Sequence, residues 1–192
     1  MILKSATFFY GTYTKTSREV DAISFHRPFI IDVEASGFGR SSYPIEVGVA
    51  LAENERYCCL ITPCSDWIHW DEKAQAVHHI SRRLLLNSGK QVHEVAMELN
   101  RLLGNATVYS DGWVVDKPWL TRLFSRAGMA PTFRISPLEM ILTEAQMAIW
   151  HSVKEIVICE SSFTRHRAST DAFIVQETWV RTREQVRAGK PV

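Results

Sequence analysis

Residues 29 to 39 read FIIDVEASGFG, an apolar run that carries two carboxylates, Asp32 and Glu34, and stops at a glycine-punctuated turn. An apolar run of this length bounded by Ser and Gly has the pattern of a buried strand. Side chains alternate along a strand, so Asp32 and Glu34 leave it on the same face, roughly 6.5 to 7 Å apart along the chain. Two carboxylates held that way repel each other. A hard, oxygen-seeking cation such as Mg²⁺ or Mn²⁺ relieves the repulsion. A lone D-x-E tripeptide is more often a solvated strand end, so a metal platform needs further acids from elsewhere in the chain.

The surrounding sequence alternates strand and helix signals. PIEVGVALAE and RYCCLITP form a hairpin turning at Glu53, Asn54 and Glu55, beside the PFIIDVEA strand. WIHWDEKAQAVHHIS is helical in part. In VHEVAMELNRLLG, the apolar residues Val92, Val95, Ala96, Leu99, Leu102 and Leu103 have amphipathic-helix spacing, stopped by Gly104. ATVYS fits a fourth strand, DKPWLTRLFSRAG a helix with Pro118 in its first turn, and TFRIS a short strand. PLEMILTEAQMAIWHSV reads as a helix, and a last one runs from about Ala168 through STDAFIVQETWV into a basic tail, RTREQVRAGK. Strands first, then strands interleaved with helices, predict a mixed sheet covered by helices in the α/β class. Residues 1–27 stand outside the alternation as an N-terminal extension, and 181–192 form the basic tail.

Bulk properties exclude several classes of function and leave recognition to local features. Lys and Arg number 22 against 21 Asp and Glu, so overall charge neither demands nor forbids a nucleic-acid partner. No run approaches the length of a membrane span, and a cytoplasmic protein is expected. Cys58, Cys59, Cys64 and Cys159 contain no C-x-x-C pair, which favours free thiols over zinc or disulfides.

Further acids occur in two later segments. YSDGWVVDKPWL contains Asp111 and Asp116, and TRHRASTDAF joins His166 to Asp171. Helical residues five apart are about 140° out of register, so His166 and Asp171 cannot share a helix face. The spacing instead puts His166 in the loop before a helix and Asp171 in its first turns, where both can reach one point. A loop histidine is suited to take a proton from water. Asp111 competes with Asp116 for the third acid position. Asp116 is preferred because it heads DKPWL, where Asp before Lys-Pro reads as a helix start, whereas Asp111-Gly112 reads well as a turn.

Asp32-x-Glu34 after an apolar strand, Asp116 heading DKPWLTRLF, and HRASTD together resemble the three motifs of the DEDDh exonucleases. That family includes the bacterial proofreading subunit, oligoribonuclease and ribonuclease T. The likeness covers roughly residues 28–180, and the H-x-A-x-x-D form with Ala168 is its most specific part. YPIEVGVALAE is similar to the family's second strand and QAVHHIS to its H-G-I segment. Two positions depart from the pattern: Ala35-Ser36-Gly37 replaces small-Thr-Gly, and His79 stands where Gly is common.

The resemblance implies a ribonuclease H-like mixed central sheet flanked by helices, spanning residues 28–180. It implies that Asp32, Glu34, Asp116 and Asp171 hold two divalent ions, Mg²⁺ or Mn²⁺, and that His166 is the general base of phosphodiester hydrolysis from the 3′ end. Single-stranded DNA or RNA would be the partner, met by Ala35, Ser36, Gly37, Phe38 and Ile80, with Phe38 and Ile80 stacking on or wedging between terminal bases. A homodimer is left open. Two rival readings stand beside it: a catalytically silent ribonuclease H-like binding module, and an enzyme restricted to short oligonucleotides. His69, His78, His79 and His93 read as surface or capping residues, and Trp67, Trp70 and Trp113 as partly buried packing.

Overall fold

The computed structural model describes residues 26–52, 55–161 and 166–189. All but Pro28's two neighbours, His26 and Arg27, of the N-terminal extension lie outside the described residues, as do Glu53 and Asn54 of the expected hairpin turn and Lys190 of the basic tail.

Five strands form one sheet in the order β3-β2-β1-β4-β5. β1 (Phe29–Ala35), β2 (Pro44–Ala50) and β3 (Arg56–Leu60) run as an antiparallel meander, while β4 (Thr107–Ser110) and β5 (Arg134–Pro137) extend the sheet in parallel with β1. Between β3 and β4 come helices α1 (Glu72–His78), α2 (Arg82–Ser88) and α3 (Val92–Leu103); α4 (Trp113–Ala127) links β4 to β5. α5 (Glu144–Glu160) and α6 (Ala168–Ala188) close the chain. Among the described residues, no helix is long and apolar enough to cross a membrane.

Alternation along β1 divides the protein into two layers. Ile31 and Val33 join Leu99, Leu120, Leu123 and Phe124 in the main core under α3 and α4, whereas Ile30 packs with Ala172, Val175 and Trp179 of α6. Asp32 and Glu34 have the parity of Ile30 and therefore emerge on the α6 side. α6 reaches them because β2 carries Gly48. A Cβ there would stand 2.0 Å from the Ser169 nitrogen and 2.1 Å from the Ala168 carbonyl carbon, so only glycine admits the helix this close to the strand.

Several boundaries differ from the sequence expectation, each for a local reason. α4 begins at Trp113, one turn before Asp116, because Gly112 supplies its N-cap, and Pro118 is accommodated in the second turn. The segment read as one helix over 137–153 is a 3₁₀ turn at Leu138–Ile141 followed by α5, which restarts at a capping box of Thr143 and Gln146. α5 then continues to Glu160. α2, outside the elements the sequence pattern predicts, starts from a Ser81 cap. α6 runs through 181–188, so the basic residues expected in a tail are its last turns and the boundary at 180 falls inside a helix. His79 caps α1 in the left-handed region at φ 57°, which is the reason glycine suits that position.

Candidate active site

The cleft opens where β1 and its parallel neighbour β4 both end, the usual location of ligand sites in open α/β sheets. It has a volume of about 280 Å³, and its lining includes Asp32, Glu34, Asp111, Asp116, His166 and Asp171. Asp32, Glu34 and Asp171 each present a carboxylate oxygen within 4.8 Å of the others. The first two come from β1; the third stands in the first turn of α6, where the positive end of the helix favours an acid.

Asp116 reaches the same cleft from the first turn of α4. It is only 2% exposed, and the Ser110 hydroxyl at the end of β4 donates to its Oδ2 at 2.5 Å. Asp111, its competitor in sequence, lies at the cleft wall and is engaged by Lys154 of α5 at 2.7 Å.

Electrostatics in the cleft are unfavourable to the folded protein alone. Burial, then repulsion from Asp116, Glu34 and Asp171, raises the Asp32 carboxyl well above its ordinary value. Glu34 is pushed up to about 7 by burial and by Asp171 and Glu46. Asp116 is also pushed up to about 7, chiefly by burial, against the lowering effect of the Ser110 hydrogen bond. Four carboxyls supplying only oxygen donors, short of positive charge, match the needs of hard divalent cations. Asp32, Glu34 and Asp171 could hold such an ion directly.

His166 lines the cleft from the loop just before α6, and its backbone N–H donates to Asp171 Oδ2 at 2.9 Å. Its φ of 61° is a left-handed conformation uncommon for a residue with a Cβ.

The expected substrate wall is partly redrawn. Ala35, Gly37 and Phe38 line the cleft, with Phe38 73% exposed. Ser36 does not: it is 1% exposed, its hydroxyl accepts from Tyr43 N–H at 3.1 Å, and its carbonyl accepts from Asp71 N–H, tying the end of β1 to its neighbours. Gly37 is required there because a Cβ would meet His69 and Asp71 at 2.6 and 2.7 Å. Ile80 is 1% exposed in the main core, with Val77 and His78 facing the cleft in its stead. The turn made by His79 swings the chain away one residue early. His78 is neither a surface nor a capping residue. It is buried, its Nδ1 accepts from Ile80 N–H at 3.0 Å, and burial lowers its pKa.

No protein-family model matches the chain, and no curated protein does. Solved structures do resemble it. Escherichia coli exonuclease I bound to a dA16 oligonucleotide superposes with a TM-score of 0.63 at 13% identity, over 81% of this chain and 41% of that one. The zinc-bound form of the E. coli ExoI–ssDNA complex gives 0.63 at 12% identity, over 83% and 40%. A moderately thermophilic exonuclease I from Methylocaldum szegediense gives 0.62 at 13% identity, over 84% and 41%. The chain thus spans about two fifths of the length of these exonucleases. At such identities the likeness establishes the fold, and the fold is the ribonuclease H-like α/β sheet.

Proposed function

We propose that this protein is a divalent-metal-dependent 3′-to-5′ exonuclease of the DEDDh type that releases nucleoside 5′-monophosphates from single-stranded nucleic acid. The observation that carries the reading is the convergence of Asp32, Glu34, Asp116, Asp171 and His166, drawn from three separate segments, on one cleft. The shared fold supports it, because the exonuclease I neighbours include complexes with dA16 and dT13 oligonucleotides.

Asp32, Glu34, Asp116 and Asp171 would hold two ions, Mg²⁺ or Mn²⁺, which supply charge compensation, activation of water and stabilisation of the leaving 3′ oxygen. The chain's own groups do the remaining work. A ring nitrogen of His166 accepts the proton of the attacking water. Asp171, besides its part in the acid cluster, holds the His166 backbone. Phe38 offers an exposed ring on which the terminal base stacks, while Val77, Val115 and Trp119 give the cleft apolar walls that exclude water from the reacting phosphate. The domain carrying this activity runs from residue 28 through the end of α6, and a cytoplasmic setting with DNA or RNA 3′ ends as substrate fits its chemistry.

The test is direct. The protein is incubated with Mg²⁺ or Mn²⁺ and 5′-labelled single-stranded DNA, RNA and a dinucleotide, beside His166→Ala. The expected result is a ladder shortening from the 3′ end that is absent in the variant. Cleavage of the dinucleotide alone would restrict the activity to short oligonucleotides. Absence of any product from a folded, metal-loaded protein would overturn the reading in favour of a silent binding module.

A further inference from the structure

Among the described residues, Glu46 is the one carboxylate near the cleft that is fully buried, at 0% exposure, within β2 and directly across from Glu34. Besides the Cys58 thiol of β3, its partners stand at the start of α6. Arg167 donates to it through Nε at 3.0 and 3.1 Å and through Nη2 at 2.5 Å, and the Ala168 N–H donates at 2.9 Å. Arg167 is the N-cap residue of α6 and the immediate neighbour of His166. Two residues along β2, Gly48 brings strand backbone against the backbone of Ala168 and Ser169. The junction between the loop and α6 is therefore fixed from two sides at residues 167 to 169.

What that fixation holds is an unfavourable conformation. A residue with a Cβ stays left-handed only where its surroundings over-determine it. His166 at φ 61° is restrained on one side by its N–H bond to Asp171 and on the other by Arg167, whose guanidinium is anchored to a fully buried carboxylate. A helix needing only an N-terminal acceptor would be served by a Ser, Thr or Asp cap; here an ion pair between distant segments, buried at its Glu46 end, takes that place.

We propose that Glu46 and Arg167 are positioning residues that act as a clamp, keeping His166 left-handed and its side chain at the cleft. The proposal rests on the exonuclease reading, in which His166 is the proton acceptor. Releasing the clamp leaves the acids and the base-stacking wall in place while the base loses its aim. The loss therefore falls on kcat and spares KM and metal affinity.

Arg167→Ala, Arg167→Lys and Glu46→Gln are compared with His166→Ala on a 5′-labelled single-stranded oligonucleotide, with Mn²⁺ affinity measured by calorimetry and guanidinium ion added at millimolar concentration as a rescue agent. Hydrogen exchange at the His166 amide is measured in the same proteins without substrate. Misaiming a catalytic group by about 1 Å costs roughly 10²-fold, so Arg167→Ala loses about that much in kcat, with KM and the Mn²⁺ dissociation constant within about twofold. Guanidinium restores roughly tenfold or more to Arg167→Ala and nothing to His166→Ala, Arg167→Lys retains part of the activity, and the His166 amide exchanges about tenfold faster once the clamp is gone. The clamp is refuted by a kcat within about threefold of wild type, by an equal loss of Mn²⁺ affinity, or by failure of guanidinium to rescue. Should the wild-type protein cleave nothing, the nuclease reading fails separately, and the amide exchange decides the clamp: unchanged exchange in Arg167→Ala sinks it.

Discussion

Glu34 and Glu46 sit opposite each other on adjoining strands, with the same chemistry and the same side of the sheet, yet they lie in contrasting environments. Glu46 is sealed from water and carries its own cation, Arg167. Glu34 looks into a cleft beside Asp32 and Asp171, where burial and like charge drive its pKa up to about 7. A carboxylate with a built-in counterion is part of the scaffold. A cluster of carboxylates without one is a site that an external cation could complete. The protein keeps the two kinds a strand apart.

The sharpest way to break that contrast is to neutralise one acid of each kind and compare what is lost. Asp32→Asn removes part of the cation platform, worth several kcal/mol of transition-state stabilisation, so nuclease activity should fall by about 10³-fold or more. The same substitution relieves repulsion, so the metal-free variant should melt no lower than the wild type. Activity assays and thermal melts on one preparation check both halves. Retained activity would remove Asp32 from the site.

Glu46→Met should do the opposite to stability. It strands Arg167 and the Ala168 N–H without their acceptor, and breaking a buried ion pair typically costs 3–5 kcal/mol. Because the Arg167 side chain is 41% exposed and can recover water, about 2–3 kcal/mol is expected, or roughly 5–10 °C in Tm for a protein of this size. A melt unchanged by this substitution would dissolve the distinction between scaffold and site.

pH offers a gentler probe of the same distinction. Glu34 and Asp116 titrate near 7 in the folded protein, against ordinary values of 4.5 and 3.8. A carboxyl with a raised folded-state pKa binds its proton more tightly folded than unfolded. Its penalty is therefore absent below the unfolded value, grows as pH rises from about 4 to about 7, and is complete above that. Metal-free protein should lose stability across this window, and Mg²⁺ or Mn²⁺ should raise Tm by several degrees more at pH 8 than at pH 5. A cation shift independent of pH would argue that the ions bind elsewhere.

What was legible in the sequence follows the range over which each signal acts. β1 and its two acids, the amphipathic α3, and the loop-then-helix arrangement of His166 and Asp171 are written in spacing along a few neighbouring residues. The pairing of Glu46 is not legible in the sequence because its partner, Arg167, lies 121 positions away, and a single Glu inside an apolar strand carries no mark of it. Ile80 and the Ser36 side chain lie off the cleft for a related reason: their neighbours His79 and Gly37 adopt turns that decide which side chains face it, and φ cannot be read from residue type alone. The ends of α4 and α5 moved because Gly112 and Thr143, as caps, outweighed the apolar periodicity.

The smallest expected effect concerns the acid that falls between the two classes. Asp111 lines the cleft as Asp116 does, yet it holds Lys154 at 2.7 Å with both side chains partly exposed, at 31% and 24%. By the criterion drawn from Glu46, an acid that already has a cation belongs to the scaffold; by position, Asp111 belongs to the site. Exposure decides between them, because an ion pair open to solvent contributes about 0–1 kcal/mol and its rupture leaves no buried charge behind. Asp111→Asn should therefore change Tm by no more than about 2–4 °C and kcat by less than about fivefold, whereas Asp116→Asn, at a residue only 2% exposed, should remove activity as Asp32→Asn does. Loss of activity of similar size in both variants would make Asp111 a member of the cation platform, and Lys154 its competitor for the same carboxylate.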